Sequence, residues 1–280
     1  MALTGMAVSG GLAVLKITVG LMAGSTSVVA DGLESAGDVL ASGTVWFGLW
    51  VAAKPADENH PYGHGRVETL SGLVVGLGLI LAGIGICYHS LSRAGQAHTP
   101  PASYAVWALL VSILAKSLLS SFKFYYGKKL RSAALVADAW NDAVDIVSAT
   151  AALSALALTL YDPSRFLLAD HYGGFAVGLI VVFMGLHVAR DTAMQLIDTM
   201  PGEEMLGPIR NVALGVAGVR GVEKCYARKT GFQYHVDLHV EVDPELTVRA
   251  SHEIATEVRA RLRKELNWVA DVLVHIEPTF

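Results

Sequence analysis

Residues 30–38 read ADGLESAGD and residues 137–145 read ADAWNDAVD, and each stretch lies within otherwise apolar sequence. In both, oxygen-bearing side chains stand at the second, fifth and ninth positions, which places them on one face of a helix. A carboxylate at the middle of a bilayer costs on the order of 2.5 to 3.5 kcal/mol. Two membrane helices with such stripes therefore need a cation, a proton or water to compensate the buried charge.

The composition predicts an integral membrane protein. Hydrophobic residues make up 53% of the chain and charged residues 16%, whereas soluble domains have about 25% charged residues. The mean hydropathy is +0.47. Apolar stretches of about 20 residues, the length that crosses a bilayer, begin near Gly5, Val28, Leu70, Tyr104, Ala133 and Leu168. We therefore predict an all-α transmembrane domain of six helices over residues 1–200, set in a lipid bilayer, and exclude a soluble enzyme.

From about Pro201 the sequence becomes charged, and a small α+β domain is predicted over residues 201–280. The segment Gln233–Val242 alternates polar and apolar residues, as strands do, and residues 251–266 have helical periodicity. The predicted order is helix Glu203–Leu214, strand Gly221–Thr230, strand Gln233–Val242, helix Thr247–Leu266 and strand Val269–Glu277.

Basic residues near the span ends predict the orientation in the membrane. Two, Arg93 and Arg165, follow spans three and five, and seven follow spans two, four and six: Lys54, Arg66, Lys123, Lys128, Lys129, Arg131 and Arg190. Both termini and the C-terminal domain are therefore predicted to face the cytoplasm. The net charge of −4, without a basic stripe, excludes nucleic acid as a partner. Cys87 and Cys225 are not expected to form a disulfide.

Each polar stripe contains a pair of residues four apart. Glu34 and Asp38 form the pair in the second span, and Asn141 and Asp145 form the pair in the fifth. If the two helices face each other, four oxygen-bearing side chains converge. The outer residues, Asp31 and Asp138, are expected to cap their helices. An intramembrane aspartyl protease also uses two membrane carboxylates, but the glycine-flanked motif of such proteases is absent. Lys16, within the first span, either snorkels or neutralises a carboxylate.

From Lys16 to the last strand, the chain resembles the cation diffusion facilitator family of divalent metal/proton antiporters. The resemblance implies a homodimer with a transport site of Glu34, Asp38, Asn141 and Asp145, and it implies protons as counter-substrate. A divalent transition metal, Mn²⁺, Fe²⁺ or Zn²⁺, would be substrate and regulator, with no organic cofactor. Zinc carriers of the family usually have His at the position of Asn141. An all-oxygen site favours Mn²⁺ or Fe²⁺ over Zn²⁺, and the amide does not titrate, so the three carboxylates would carry the protons.

Two further metal sites are candidates outside the spans. Asp57, His60 and His64 lie three and four apart in a segment rich in Pro and Gly, which either surrounds an ion or is a solvated loop. The resemblance matches these residues to a loop site of the family. His235, Asp237, His239 and Glu241 alternate along one strand and share a face. The resemblance further implies a cytoplasmic, metallochaperone-like sensing site, often shared across a dimer, of His239, His252, His275, Glu277 and Glu223.

The resemblance also matches Arg66 and Asp198 to an electrostatic pair at the base of the dimer; the alternative is two ordinary interfacial charges. The combined hypothesis is proton-coupled efflux of a divalent metal from the cytoplasm by alternating access, across a bacterial inner membrane, and not enzymatic catalysis. The alternative is a membrane metal-binding scaffold or sensor with little transport. The intact carboxylates Glu34, Asp38 and Asp145 favour transport.

Overall fold

The computed structural model describes residues 2–94, 100–129 and 133–279, without the side chains of residues 2–4, 45, 127 and 133–138. The expectations for Arg131 and for the Asp138 side chain lie outside the described residues. The elements in chain order are α1 (Ala2–Ala23), α2 (Thr26–Ala52), α3 (Arg66–Ala94), α4 (Ala105–Lys129), α5 (Ala133–Tyr161), α6 (Pro163–Phe166), α7 (Ala169–Leu196), α8 (Glu203–Leu214), β1 (Gly221–Thr230), β2 (Gln233–Val242), α9 (Val248–Glu265) and β3 (Val269–Pro278).

The predicted fold class is confirmed: long helices are followed by a small α/β domain. In the described part of the chain, α1 to α5 and α7 each have 22 or more residues. Five of these helices are long and apolar enough to cross a membrane. The other, α2, has the length of a span but carries Asp31, Glu34 and Asp38. Its carboxylates reduce its hydropathy, and its inclusion brings the count to the predicted six.

The contacts divide the described chain into two compact units. One unit contains the chain up to Thr44 together with Val74–Ala189, and the other contains Val45–Leu73 with the chain from Arg190 onward. In the first unit, α4 packs along α5 and also contacts α1. Fully buried apolar side chains from four helices form its core: Val28, Leu109, Leu156 and Val177.

A buried polar cluster fixes the start of α2. Ser25 accepts a hydrogen bond from the backbone N–H of Val28 (3.3 Å), so Ser25 caps the helix. Asp170, at the start of α7, accepts bonds from the backbone N–H of Thr26 (2.6 Å) and from the Ser25 hydroxyl (2.7 Å). The expectation that Asp31 caps α2 is therefore wrong, because the helix begins at Thr26 and Asp31 lies within it.

Glycine allows α3 and α7 to approach closely. A Cβ atom added at Gly178 would stand 2.7 Å from Cys87 Sγ and 3.0 Å from the Cys87 backbone nitrogen. A Cβ atom added at Gly83, on the opposing helix, would stand 2.8 Å from the Gly178 carbonyl oxygen. Such close backbone contact is typical of helix pairs in membranes, where small residues at the interface permit it.

The C-terminal domain has the predicted elements, each within one residue of the predicted bounds. Its sheet has the order β1-β2-β3, with β1 and β2 antiparallel and β2 and β3 parallel. Helices α8 and α9 cover one face, where Ile209, Leu238, Val258 and Leu262 are fully buried. The other face therefore carries the alternate residues of each strand. Cys87 and Cys225 are both free, as expected.

The contact between α3 and α7 gives a prediction for stability. Gly178→Ala is expected to lower the melting temperature of the purified protein in detergent, because the added methyl meets backbone; overpacking of this kind costs about 1–3 kcal/mol. The matched control is Gly85→Ala on α3, where an added Cβ meets nothing within 4 Å. Equal melting temperatures for the two variants would contradict the predicted close contact.

Candidate metal sites

The structure brings three of the four predicted transport residues into one buried cluster. Glu34 on α2 is 4% exposed and Asp145 on α5 is 5% exposed. Glu34 Oε2 accepts a hydrogen bond from Ser148, one turn beyond Asp145. Asp38 lies near enough to Asp145 for the two carboxyl groups to interact electrostatically. The second and fifth helices therefore face each other through these carboxylates, which is the condition under which the two stripes converge.

Asn141, the fourth residue, lies half-buried on α5 one turn before Asp145. Glu34 Oε1, Asp38 Oδ2 and Asp145 Oδ1 are buried, and none of them accepts a hydrogen bond from a described residue. Buried carboxylate oxygens are ordinarily satisfied by donors. Oxygens left open in this way suit a hard divalent cation, which binds carboxylate and amide oxygen.

Three buried lysines lie among these carboxylates, and the sequence alone does not indicate the role of Lys116 or Lys123. Lys116 Nζ on α4 contacts Asp145 Oδ2 at 2.5 Å and Asp142 Oδ1 at 3.0 Å. Lys123 Nζ contacts Asp142 Oδ2 at 2.5 Å. Lys16 Nζ contacts Asp31 Oδ2 at 2.6 Å. Lys16 therefore neutralises a carboxylate rather than snorkelling.

Lys123 differs from the loop residue that the sequence predicts. It lies within α4 with its side chain 3% exposed. Its ammonium group is paired with Asp142, so it carries no information about which side of the membrane is cytoplasmic. Two features of the sequence indicate this network: lysines inside an apolar stretch, and a second carboxylate, Asp142, beside Asn141.

Among the described side chains of the cluster, carboxyl groups outnumber ammonium groups. The described side chains include five carboxyl groups, Asp31, Glu34, Asp38, Asp142 and Asp145, and three ammonium groups, Lys16, Lys116 and Lys123. Five minus three leaves two negative charges when all are ionised. One divalent cation carries the opposite charge. Its binding would therefore neutralise the cluster, which a low-dielectric site requires.

The loop residues Asp57, His60 and His64 form a compact group in the second unit. Their ligand atoms all lie within 4.8 Å of one another. His60 Nδ1 is 3.0 Å from Asp57 Oδ1, and His64 Nε2 is 3.4 Å from Asp57 Oδ2. Hydrogen bonds from the His60 backbone N–H and from its ring hold the pKa of Asp57 below its usual value. The carboxylate is thus ionised at neutral pH, the form that binds metal.

His239, His275 and Glu277 form the second such group, on the open face of the sheet. His239 and His275 are register partners on the parallel strands β2 and β3. Glu277 Oε1 lies 2.6 Å from His239 Nδ1 and 3.5 Å from His275 Nε2. Hydrogen bonds with Glu223 and His239 lower the pKa of Glu277.

Glu223 reaches this group because of an irregularity in β1. The register shifts between Val222 and Lys224, so both Glu223 and Lys224 are exposed before the buried Cys225 restores the alternation. The structure does not bring the fifth residue, His252, into the group. His252 is exposed on α9, and α9 packs against the opposite face of the sheet.

Arg66 and Asp198 form the ion pair that the resemblance implied. Arg66 Nη2 lies 2.5 Å from Asp198 Oδ1, with side chains 51% and 40% exposed. Asp198 follows the end of α7 in the left-handed region, with φ of 58°. A pair this exposed contributes about 0–1 kcal/mol. Its contribution is therefore to orientation more than to stability.

Comparison with known sequences matches nearly the whole chain. The family model of the cation efflux transmembrane domain matches residues 2–197, and that of the cation efflux protein cytoplasmic domain matches residues 201–279. Metal tolerance protein C1 of Arabidopsis thaliana is 31% identical over 96% of this chain, which spans 60% of that protein's length. The manganese efflux system protein MneP of Bacillus subtilis is 29% identical, covering 95% of this chain and 91% of MneP. Magnetosome protein MamB of Magnetospira sp. is 30% identical, covering 94% and 89%.

Apolar spans enclosing a carboxylate cluster, followed by an α/β domain, define a membrane transporter of metal cations. The chain belongs to the cation diffusion facilitator family, and the resemblance seen in the sequence is confirmed. It is a metal-cation efflux protein set in a lipid bilayer, and its family is one of transporters rather than enzymes.

The group on the sheet gives a prediction for metal binding. His239→Ala is expected to weaken Zn²⁺ binding to the C-terminal domain by at least about tenfold, since even outer-shell changes cost that much. Isothermal titration of the full chain in detergent would show one weaker or missing site per chain. His235→Ala, on the same strand but outside the group, is the control. The same loss in both variants would contradict a site at His239.

Proposed function

We propose that the protein exports a divalent transition metal from the cytoplasm in exchange for protons, by alternating access. The transport site would be Glu34, Asp38, Asn141 and Asp145. The observation that carries the proposal is the buried cluster, whose described side chains have an excess of two negative charges when ionised and leave carboxylate oxygens open. Metal enters from the cytoplasmic side, binds between α2 and α5, and leaves on the far side as this helix pair tilts.

Mn²⁺ and Fe²⁺ are the favoured substrates, and Zn²⁺ is the third. The four side chains supply only oxygen, which hard cations accept, whereas Zn²⁺ gains from nitrogen and sulfur. The name of MneP, a manganese efflux system protein, supports this order. Because the amide of Asn141 does not titrate, the protons are carried by Glu34, Asp38 and Asp145.

The protein functions as a homodimer in a bacterial inner membrane, with both termini and the C-terminal domain in the cytoplasm. The match to a cytoplasmic domain of cation efflux proteins supports this orientation. His239, His275, Glu277 and Glu223 bind metal when it is abundant and draw the two C-terminal domains together. Metal would thereby shift the population toward the transporting state. His252 belongs to the proposed regulatory site only if the partner of the dimer brings it near.

A metal-binding scaffold with little transport is the second candidate. The favouring observation is the ion pair of Lys116 with Asp145, which already supplies a cation to one of the four proposed ligands. A scaffold would bind metal at the loop and at the C-terminal domain. In the membrane cluster, Lys116 would remain paired with Asp145 and keep metal from binding there. The two candidates differ in whether the protein carries metal across the membrane.

Flux into proteoliposomes tests the transport site. Asp145→Asn is expected to reduce Mn²⁺ uptake by at least about tenfold, because it removes a charged ligand where even supporting residues are worth that factor. Asp162→Asn is the control, since Asp162 caps the short helix α6 away from the cluster and Asn also caps helices. A scaffold would show no flux in any of these proteins, wild type included.

Asn141→His tests the role of the amide. The variant supplies an imidazole, so it is expected to shift the preference toward Zn²⁺ and to change the dependence of transport on pH near neutrality. The measurement is competition among Mn²⁺, Fe²⁺, Zn²⁺ and Co²⁺ uptake across a pH series. An unchanged pH profile would refute the proton assignment, and a wide preference of the wild type for Zn²⁺ would refute the oxygen argument.

A further inference from the structure

The Lys116 ammonium group has three close oxygen neighbours within the membrane domain. It donates hydrogen bonds to Asp142 Oδ1 (3.0 Å) and Ser9 Oγ (2.9 Å). It also forms an ion pair with Asp145 Oδ2, at 2.5 Å. The side chain is 2% exposed, so no contact with water competes with this arrangement.

A metal bound by Asp145 competes with the Lys116 contact to the same carboxylate. A carboxylate ligand holds a divalent transition metal at about 2.0–2.2 Å. With the Lys116 ammonium 2.5 Å from Oδ2, a dication on the same carboxylate would stand next to another cation in a buried site. Repulsion between buried like charges is strong because screening is weak. The metal and the ammonium group therefore compete for the carboxylate.

We propose that Lys116 is a tethered cation that takes the place of the metal at Asp145, so that metal and lysine alternate during the transport cycle. The inference rests on the proposed transport function and adds a residue outside the four proposed ligands. Entering metal displaces the Lys116 ammonium from Asp145, and the ammonium returns when the metal is released. Lys116 thereby sets the metal affinity and compensates the charge of Asp145 during the return without metal, so that on this inference Glu34 and Asp38 alone carry the exchanged protons.

The neighbouring contacts make the displacement small. Lys116 can release Asp145 and keep both Asp142 and Ser9, so its ammonium stays paired throughout. The Lys116 ammonium group displaced from Asp145 thus remains paired with Asp142. Lys16 differs, because it contacts Asp31 and Ser35, and neither is a proposed ligand. The two buried lysines therefore offer a matched pair for experiment.

The test compares Lys116→Gln with Lys16→Gln in two assays at one pH. Mn²⁺ affinity is measured by isothermal titration of the full chain in detergent. Net Mn²⁺ efflux and the exchange of labelled for unlabelled Mn²⁺ are measured in proteoliposomes. Lys116→Gln removes the cation that competes with metal at Asp145, so a larger fraction of the protein is free to bind Mn²⁺. The variant is therefore expected to bind Mn²⁺ about tenfold more tightly. Its exchange should persist while net efflux falls, because only net efflux needs the return without metal.

Lys16→Gln removes the same charge from the cluster without freeing a proposed ligand, so it is expected to raise the Mn²⁺ affinity less than Lys116→Gln does and to leave the ratio of exchange to net efflux at the wild-type value. If Lys116→Gln does not fold, Lys116→Arg keeps the charge and binds carboxylates bidentately, so Mn²⁺ should bind more weakly than to wild type. Unchanged or weaker Mn²⁺ binding by folded Lys116→Gln, an unchanged flux ratio, or unchanged Mn²⁺ binding by Lys116→Arg would overturn the inference. A wild type that neither exports nor exchanges Mn²⁺ would instead overturn the transport function.

Discussion

The structure of the membrane domain depends on compensating buried negative charge. A carboxylate in hydrocarbon is stable only with a proton, a cation or hydrogen-bond donors beside it. Here lysines on α1 and α4 reach the carboxylates of α2 and α5, and Asp142 receives two ammonium groups, from Lys116 and Lys123. These pairs hold four helices around one polar centre. They also leave the charge there incomplete, which is the condition for a site that gains and loses a cation.

Close packing elsewhere keeps this centre in place. Ser25 and Asp170 fix where α2 begins, and that start determines which face of α2 each carboxylate occupies. Elsewhere in the membrane domain, Gly83 on α3 and Gly178 on α7 allow the two backbones to approach closely. Neither feature touches the proposed ligands. Both set the rotation and depth of the helices, on which the distances between carboxylates depend.

The sequence predicted what depends on local pattern, and it failed where partners are chosen by tertiary contact. Span length, strand alternation and helix periodicity located the elements of both domains. The spacing of Glu34 and Asp38 predicted that they share one face of α2. The pairing of Lys116 with Asp145, the inner position of Asp31 and the burial of Lys123 depend instead on how separate helices pack. The local sequence of α4 shows lysines within an apolar stretch, but it does not show which carboxylates they pair with.

The parallel pairing of β2 with β3 has a consequence for how the C-terminal domain can vary in length. His239 and His275 stand side by side because they are register partners on neighbouring strands. Side chains alternate between faces with a period of two, so a one-residue slip turns a whole strand over. A single residue inserted in β3 before His275 would exchange the faces of His275 and Ile276. Metal ligands would enter the apolar core as aliphatic residues left it, so this strand can lengthen only beyond Glu277 or in the connection before Val269.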